Sequence, residues 1–393
     1  SDVLPFWQQL YSNVLLEYLY CNNAEAPVIE WSESGTDSHK DDILLALPMD
    51  HAQVEDVLVP IGGGKDSLVT WHLSLSSGKR PSLFYVSDGQ TEFQQNWRLH
   101  HISRVAGSKY HTVRHSFGYE DLRRTSKSYL QPCGHPWAAL VLFDAVLVGV
   151  LTGHKEVLLG NEKSADFGNG VTYEGVEVNH QYDKSSRFVQ AANEYVRKYV
   201  CGGITVRSPL ENMWDLEVAR IFCTAPRLQQ LHNVFISCND PVGYTRWCAK
   251  CEKCVFVYLI MSAFLPPPSV WGIFGENLME KKELREIFLA LIGADKGGKK
   301  PFECIGTFNE SKAAVELSLY QHLSYSAQCS YSSLVRDDIP SRVLEVVPEI
   351  LLTMCAHINI AINELPRHYE PLSCDSVDVV LRKWLYKSDN FTI

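Results

Sequence analysis

Val57-Leu58-Val59-Pro60-Ile61-Gly62-Gly63-Gly64-Lys65-Asp66-Ser67-Leu68-Val69-Thr70-Trp71 is the stretch that decides the fold. The apolar run at 57–61 predicts a strand covered on both faces. Three glycines then let the backbone turn sharply and point successive N–H groups inward. The next residues predict a helix, whose N-terminus adds partial positive charge. The Lys65 ammonium and the Ser67 hydroxyl are placed to meet phosphate oxygens. The expectation is a pyrophosphate-binding loop made of Gly62, Gly63, Gly64, Lys65, Asp66 and Ser67, against the blander alternative of a tight turn that holds no ligand.

Two other phosphate loops are excluded by spacing. G-x-x-x-x-G-K-S/T fails because Asp66 follows Lys65 and Val59 stands where the first glycine belongs. G-x-G-x-x-G fails because Ser67 occupies the last glycine position. The loop resembles the SGGxDS loop of the N-type ATP pyrophosphatases, with Gly62 in place of the usual first serine. That resemblance implies cleavage of ATP between the α and β phosphates and an adenylylated substrate.

Strands are expected at 57–61, 82–86, 110–114, 157–160 and 203–206, with helices between them at 68–76, 92–105, 137–151 and 187–199. Such interleaving predicts an α/β fold: a mainly parallel sheet with helices on both faces and ligands at the carboxyl ends of its strands. Upstream, 6–19 reads as helical and Val28-Ile29-Glu30-Trp31 as a short strand, followed by a polar stretch at 32–42. Pro266-Pro267-Pro268 predicts a break, beyond which 281–292, 311–323 and 339–362 read as helices. The expected organisation is an N-terminal segment 1–56, a nucleotide domain 57–265 and a helical C-terminal region 266–393.

With 393 residues, 46% of them hydrophobic, the chain can build a sizeable core. A net charge of −10 argues against a broad basic surface for nucleic acid, while leaving room for a small anionic substrate in a local pocket. No run of 18 apolar residues occurs; Asp144 interrupts the longest, Ala138 to Leu151. The first residues carry no basic n-region, so a cytoplasmic protein without membrane contact is expected, although the chain does not begin with Met.

Four of the twelve cysteines, Cys238, Cys248, Cys251 and Cys254, lie close together and the others are scattered. Paired C-x-x-C steps let one turn present successive sulfurs to one metal, and four thiolates would close a structural zinc site. Free thiols, a redox pair or an iron–sulfur cluster remain open. Two further polar segments carry donors. Asn161, Glu162 and Ser164 follow a strand on the ligand side, and Asn179, His180, Gln181, Tyr182 and Lys184 crowd one loop. His135, before the long apolar helix, is a further candidate. A solvated loop would explain the second segment without any ligand.

Taken in order, Gly62 to Ser67, Gly134-His135-Pro136, Asn161 to Ala165, Val178 to Ser185, Ser237-Cys238-Asn239, Arg246 to Cys254 and Lys300 to Gly306 resemble the UDP-N-acetylmuramoyl-L-alanyl-L-glutamate epimerase family. The likeness covers roughly 57–320. It implies an enzyme that uses ATP and magnesium to invert the terminal L-glutamate of a UDP-linked muramoyl dipeptide in peptidoglycan precursor synthesis, releasing AMP and pyrophosphate. Asp66 would act through magnesium or by fixing the loop. Lys184 would hold a carboxylate, and His180 is a candidate for proton transfer because imidazole titrates near neutrality. A 7-cyano-7-deazaguanine synthase-like enzyme is the second reading, and a catalytically silent nucleotide-binding module the third.

Overall fold

The run at 57–61 becomes the central strand of a five-stranded sheet in the computed structural model, which describes residues 3–31, 56–87, 96–115, 136–238, 241–242, 245–295, 297–331, 347–360 and 373–386. Its elements in chain order are α1 (Leu4–Val14), α2 (Leu16–Asn22), β1 (Asp56–Pro60), α3 (Lys65–Ser76), β2 (Arg80–Ser87), α4 (Trp97–Ala106) and β3 (Tyr110–Arg114). Then come α5 (Trp137–Thr152), β4 (Glu156–Leu158), the hairpin strands β5 (Thr172–Tyr173) and β6 (Val176–Glu177), α6 (Ser186–Tyr199) and β7 (Thr205–Arg207).

The strand order is β3-β2-β1-β4-β7, and every pairing in this sheet is parallel. Leu58 stands between Ser82 on one neighbour and Val157 on the other. Residues of α5 and α6 share one core with the strands, and the right-handed crossover rule assigns α3 and α4 to the opposite face. The expected class of fold is therefore present. Between β1 and β4 the order reverses, and a sheet of this kind opens its ligand crevice at the carboxyl ends of those two strands.

Val57, Leu58 and Val59 are buried almost completely, so β1 is covered on both faces. Leu58, Phe84 and Val157 join Leu142, Ala145 and Val146 of α5 and Phe188, Ala192 and Val196 of α6 in one core. The N-terminal helices belong to the same body. Phe6 stacks on Tyr195 at 4.6 Å between centroids, Trp7 stacks on Phe143 at 5.4 Å, and the Trp7 indole N–H donates to the Tyr195 hydroxyl at 3.2 Å. The expected strand at 28–31 does not form: Val28 is exposed, and the segment pairs with no described strand. Four residues with no ladder partner gain too little to order as a strand.

Contacts divide the chain at Met213/Trp214 rather than at 265/266. The three prolines start a helix instead of ending a domain, because Pro267 stands at its first position, where a missing N–H costs nothing. The second unit is helical: α7 (Asp215–Thr224), α8 (Pro226–Gln229), α9 (Glu252–Ser262), α10 (Pro267–Phe274), α11 (Arg285–Leu291), α12 (Phe308–Tyr331), α13 (Glu349–His357) and α14 (Cys374–Leu385). The helix expected over 281–292 begins with a 3-10 turn at Lys282–Leu284, and that expected over 339–362 is described only for 347–360. Lys253 through Ser262 are all buried, making α9 the central helix of this unit. No helix among the described residues is long and apolar enough to cross a membrane.

One buried carboxylate ties two helix starts together. Glu310 accepts from the Thr307 N–H at 2.6 Å, the Thr307 hydroxyl at 2.9 Å and the Leu216 N–H at 3.2 Å. Glu310→Ala should strand these donors and cost about 3 kcal/mol of unfolding free energy. Urea unfolding of the full chain checks this, and Glu310→Gln should lose less.

Candidate functional site

Leaving β1, the chain turns at its carboxyl end. Gly63 adopts φ = 86°, in the left-handed region that side chains disfavour, and Gly64 starts α3 with no side-chain cap. A Cβ placed on Gly62 would meet nothing within 4 Å. The first turn of α3 has no side-chain cap and the space beside Gly62 is open, and a helix start of this kind leaves backbone N–H groups available to an anion. The Lys65 ammonium, fully buried, pairs with the Asp66 carboxylate. Ser67 donates to the Gly64 carbonyl at 3.0 Å. In this state both side chains brace the loop.

The exit of β4 lies against that turn. A Cβ on Gly160 would sit 3.0 Å from the Ser67 nitrogen and 3.1 Å from the Asp66 carbonyl carbon, so only glycine lets the two backbones meet. Ser208, one residue past β7, fixes the segment just beyond β4: its hydroxyl contacts the carbonyls of Leu159 and Asn161 and accepts from the Asn161 N–H at 3.1 Å. Arg98 reaches the Gly63 carbonyl at 3.5 Å, and burial lowers its guanidinium pKa to about 10. None of Gly160, Ser208 and Arg98 was singled out in the sequence. A glycine and a Ser-Pro step closing successive parallel strands were the available signals for the first two.

The loop at 178–185 folds back onto the turn at 163–166. The Asn179 amide donates to the Ala165 carbonyl at 2.9 Å, and its oxygen accepts from the Gln181 N–H at 2.8 Å. Tyr182 is buried, which raises its phenol pKa. Burial likewise raises the Asp183 carboxyl, although the Ala139 N–H donates to it at 3.1 Å. A small cleft within the first unit is lined by Asn161, Glu162, Asp166, Lys184, Ser186 and Glu211, among others. Three predicted residues therefore meet there: Asn161, Glu162 and Lys184. Ser164 and Gln181 are buried and do not line it. His180 does not line it either; its Nδ1 lies 2.5 Å from a carboxylate oxygen of Glu17 on α2. His135 lies outside the described residues.

In the second unit the four clustered sulfurs all lie within 4.8 Å of one another. Cys238 and Cys251 are 4.0 Å apart, and Cys248 and Cys254 are 3.5 Å apart. Zinc–sulfur bonds of about 2.3 Å give tetrahedral sulfur separations of about 3.8 Å, so the set fits one ion. Ala249 turns between Cys248 and Cys251 at φ = 57°, and Cys251 caps α9 by accepting from the Cys254 N–H at 3.4 Å. The neighbouring thiols push the Cys254 thiol far above its ordinary range, a crowding that a cation relieves.

With this geometry in view, two family models match the chain: the MurL N-terminal domain over residues 1–207 and the MurL C-terminal domain over 234–342. The chain belongs to the MurL family. The first match begins ahead of the glycine loop and takes in α1 and α2, which the sequence motifs had left out. A UDP-N-acetyl-alpha-D-muramoyl-L-alanyl-L-glutamate epimerase from Xanthomonas oryzae pv. oryzae is 30% identical over 296 residues, 72% of this chain and 61% of that protein. A protein of the same name from a Micromonospora species is 28% identical over 321 residues, 80% of this chain and 66% of that one. The chain thus spans just under two thirds of the length of these two relatives. Among solved structures, a U34-tRNA thiolase from Methanococcus maripaludis aligns with a TM-score of 0.32 and 13% identity over 58% of this chain and 73% of that one, too slight a likeness to carry an argument.

Metal analysis of the purified chain should find about one ion per molecule, the stoichiometry of a four-thiolate site. Cys248→Ser combined with Cys251→Ser should remove it and lower the unfolding midpoint. A metal-free chain that unfolds like the loaded one would contradict the site.

Proposed function

We propose that this protein inverts the terminal L-glutamate of UDP-N-acetylmuramoyl-L-alanyl-L-glutamate by ATP-dependent adenylylation of its α-carboxylate. Membership of the family and the names of its relatives support the substrate. The observation that carries the ATP half is the contact of Gly160 with the first turn of α3, which puts an uncapped, glycine-lined cradle beside Asn161 and Glu162 at the switch point of the sheet.

The loop N–H groups of 62–67 would hold the leaving pyrophosphate, and Lys65, released from Asp66, would add a donor. Asp66 is the carboxylate suited to magnesium, which supplies charge neutralisation along the phosphates when bound. Removing a proton beside a free carboxylate places two negative charges side by side. Adenylylation cancels one of them, and the α C–H becomes far more acidic. A base then takes the proton, a proton arrives from the opposite face, and hydrolysis of the mixed anhydride releases AMP. Lys184 is the cation in the cleft for a substrate carboxylate or the developing adenylate. The Cys238, Cys248, Cys251 and Cys254 site is assigned to structural zinc, since four protein ligands leave no open position for catalysis.

Incubation with ATP and the dipeptide nucleotide in deuterated water should place deuterium on the glutamate α-carbon and release AMP and pyrophosphate. Asp66→Ala should reduce AMP release by a factor on the order of 10² or more. Unchanged turnover in that variant removes the loop from catalysis, and AMP without deuterium replaces epimerisation with another adenylating reaction.

A further inference from the structure

Among the described residues that line the small cleft of the first unit, Lys184 is the one cation, set against the carboxylates of Glu162, Asp166 and Glu211. That balance admits an anionic group at the lysine and repels a second one elsewhere in the cleft. Two ties fix where Lys184 stands. The Asn179 amide donates to the Ala165 carbonyl at 2.9 Å, and the Asp166 carboxylate accepts from the Ser186 N–H at 2.6 Å and from its hydroxyl at 2.9 Å. Both ties end on the last two residues of the 3-10 turn at Lys163–Asp166, and their partners bracket Lys184 in the chain. At the other end of the same segment, Gly160 presses on Asp66 and Ser67. Along the chain, this wall of the cleft begins at the glycine turn and ends at the segment that carries Lys184. An ammonium has three N–H donors, so Lys184 can face the charge of its neighbour Asp183 and still meet an incoming carboxylate.

We propose that Lys184 reads the γ-carboxylate of the terminal glutamate, leaving the α-carboxylate to face the nucleotide loop, and that Asp166 is the positioning residue that holds the lysine there. This rests on the epimerase reading above and divides the two carboxylates of the substrate between the two ends of one wall. The γ-carboxylate stays ionised before and after its neighbour is adenylylated. Its pairing with Lys184 is therefore equal in ground state and transition state, and its loss shows in KM rather than in kcat.

The test compares dipeptide nucleotides ending in L-glutamate and in L-glutamine, which differ only at the γ position, on wild type, Lys184→Met, Lys184→Arg and Asp166→Ala. Wild type should favour the glutamate nucleotide in kcat/KM by a factor on the order of 10². Lys184→Met should raise the KM for that nucleotide by a similar factor, leave the KM for ATP near the wild-type value and bring the preference toward parity. Lys184→Arg should keep most of the preference. Asp166→Ala should lose part of it through KM, and Asp166→Asn, which keeps an acceptor for the Ser186 N–H, should lose less. Destabilisation alone lowers both nucleotides alike and leaves their ratio unmoved. Calorimetric binding of the two nucleotides scores the same preference in a variant with no turnover. Equal losses on both nucleotides in Lys184→Met, or a wild type indifferent to the γ position, overturn the assignment while leaving the epimerase reading intact. A wild-type ratio in Asp166→Ala removes its positioning role. AMP release without deuterium exchange removes the epimerase reading alone, and the nucleotide preference still decides the role of Lys184.

Discussion

The exit of β4 can touch the first turn of α3 only because residue 160 has no side chain. Any Cβ there would press on backbone atoms of Asp66 and Ser67, which cannot move aside as a flexible side chain could. This contact joins the two strands between which the sheet reverses its order, and it sets Asn161 and Glu162 beside the glycine turn. The Ser208 hydroxyl then locks the same segment from β7. An α/β sheet offers a crevice at its switch point as a matter of topology; the glycine lets the turn at 62–67 and the polar segment at 161–162 approach each other here.

Much of that arrangement was legible in the chain itself. Val57 to Ile61 is apolar at every position because both faces are covered, and three consecutive glycines can hardly mean anything but a turn. The cysteine cluster was equally readable, since C-x-x-C spacing is a local property of one turn. The donors at 178–185 were visible as a group but not in their roles. Asn179 and Gln181 serve the loop's own backbone, whereas Lys184 faces the cleft.

What the chain hid was long-range or negative. Glu17 meets His180 across 163 residues, and nothing in Leu16-Glu17-Tyr18 marks that glutamate as special. Phe6 and Trp7 read as an ordinary amphipathic helix until Tyr195 and Phe143 are seen against them. Val28 to Trp31 has the composition of a strand, but a strand needs a partner, and composition cannot supply one. The prolines at 266–268 misled for a related reason: proline ends helices from within but begins them at the first position.

Everything proposed for the chemistry depends on the glutamate carboxylate itself attacking ATP. Substrate carrying ¹⁸O in both oxygens of that α-carboxylate tests this most directly, because the oxygen that bonds to phosphorus leaves with AMP when water attacks the acyl carbon. The expected result is one ¹⁸O in each AMP released and one ¹⁶O from water in each product carboxylate. AMP free of label, with both heavy oxygens kept in the epimerised glutamate, would contradict it.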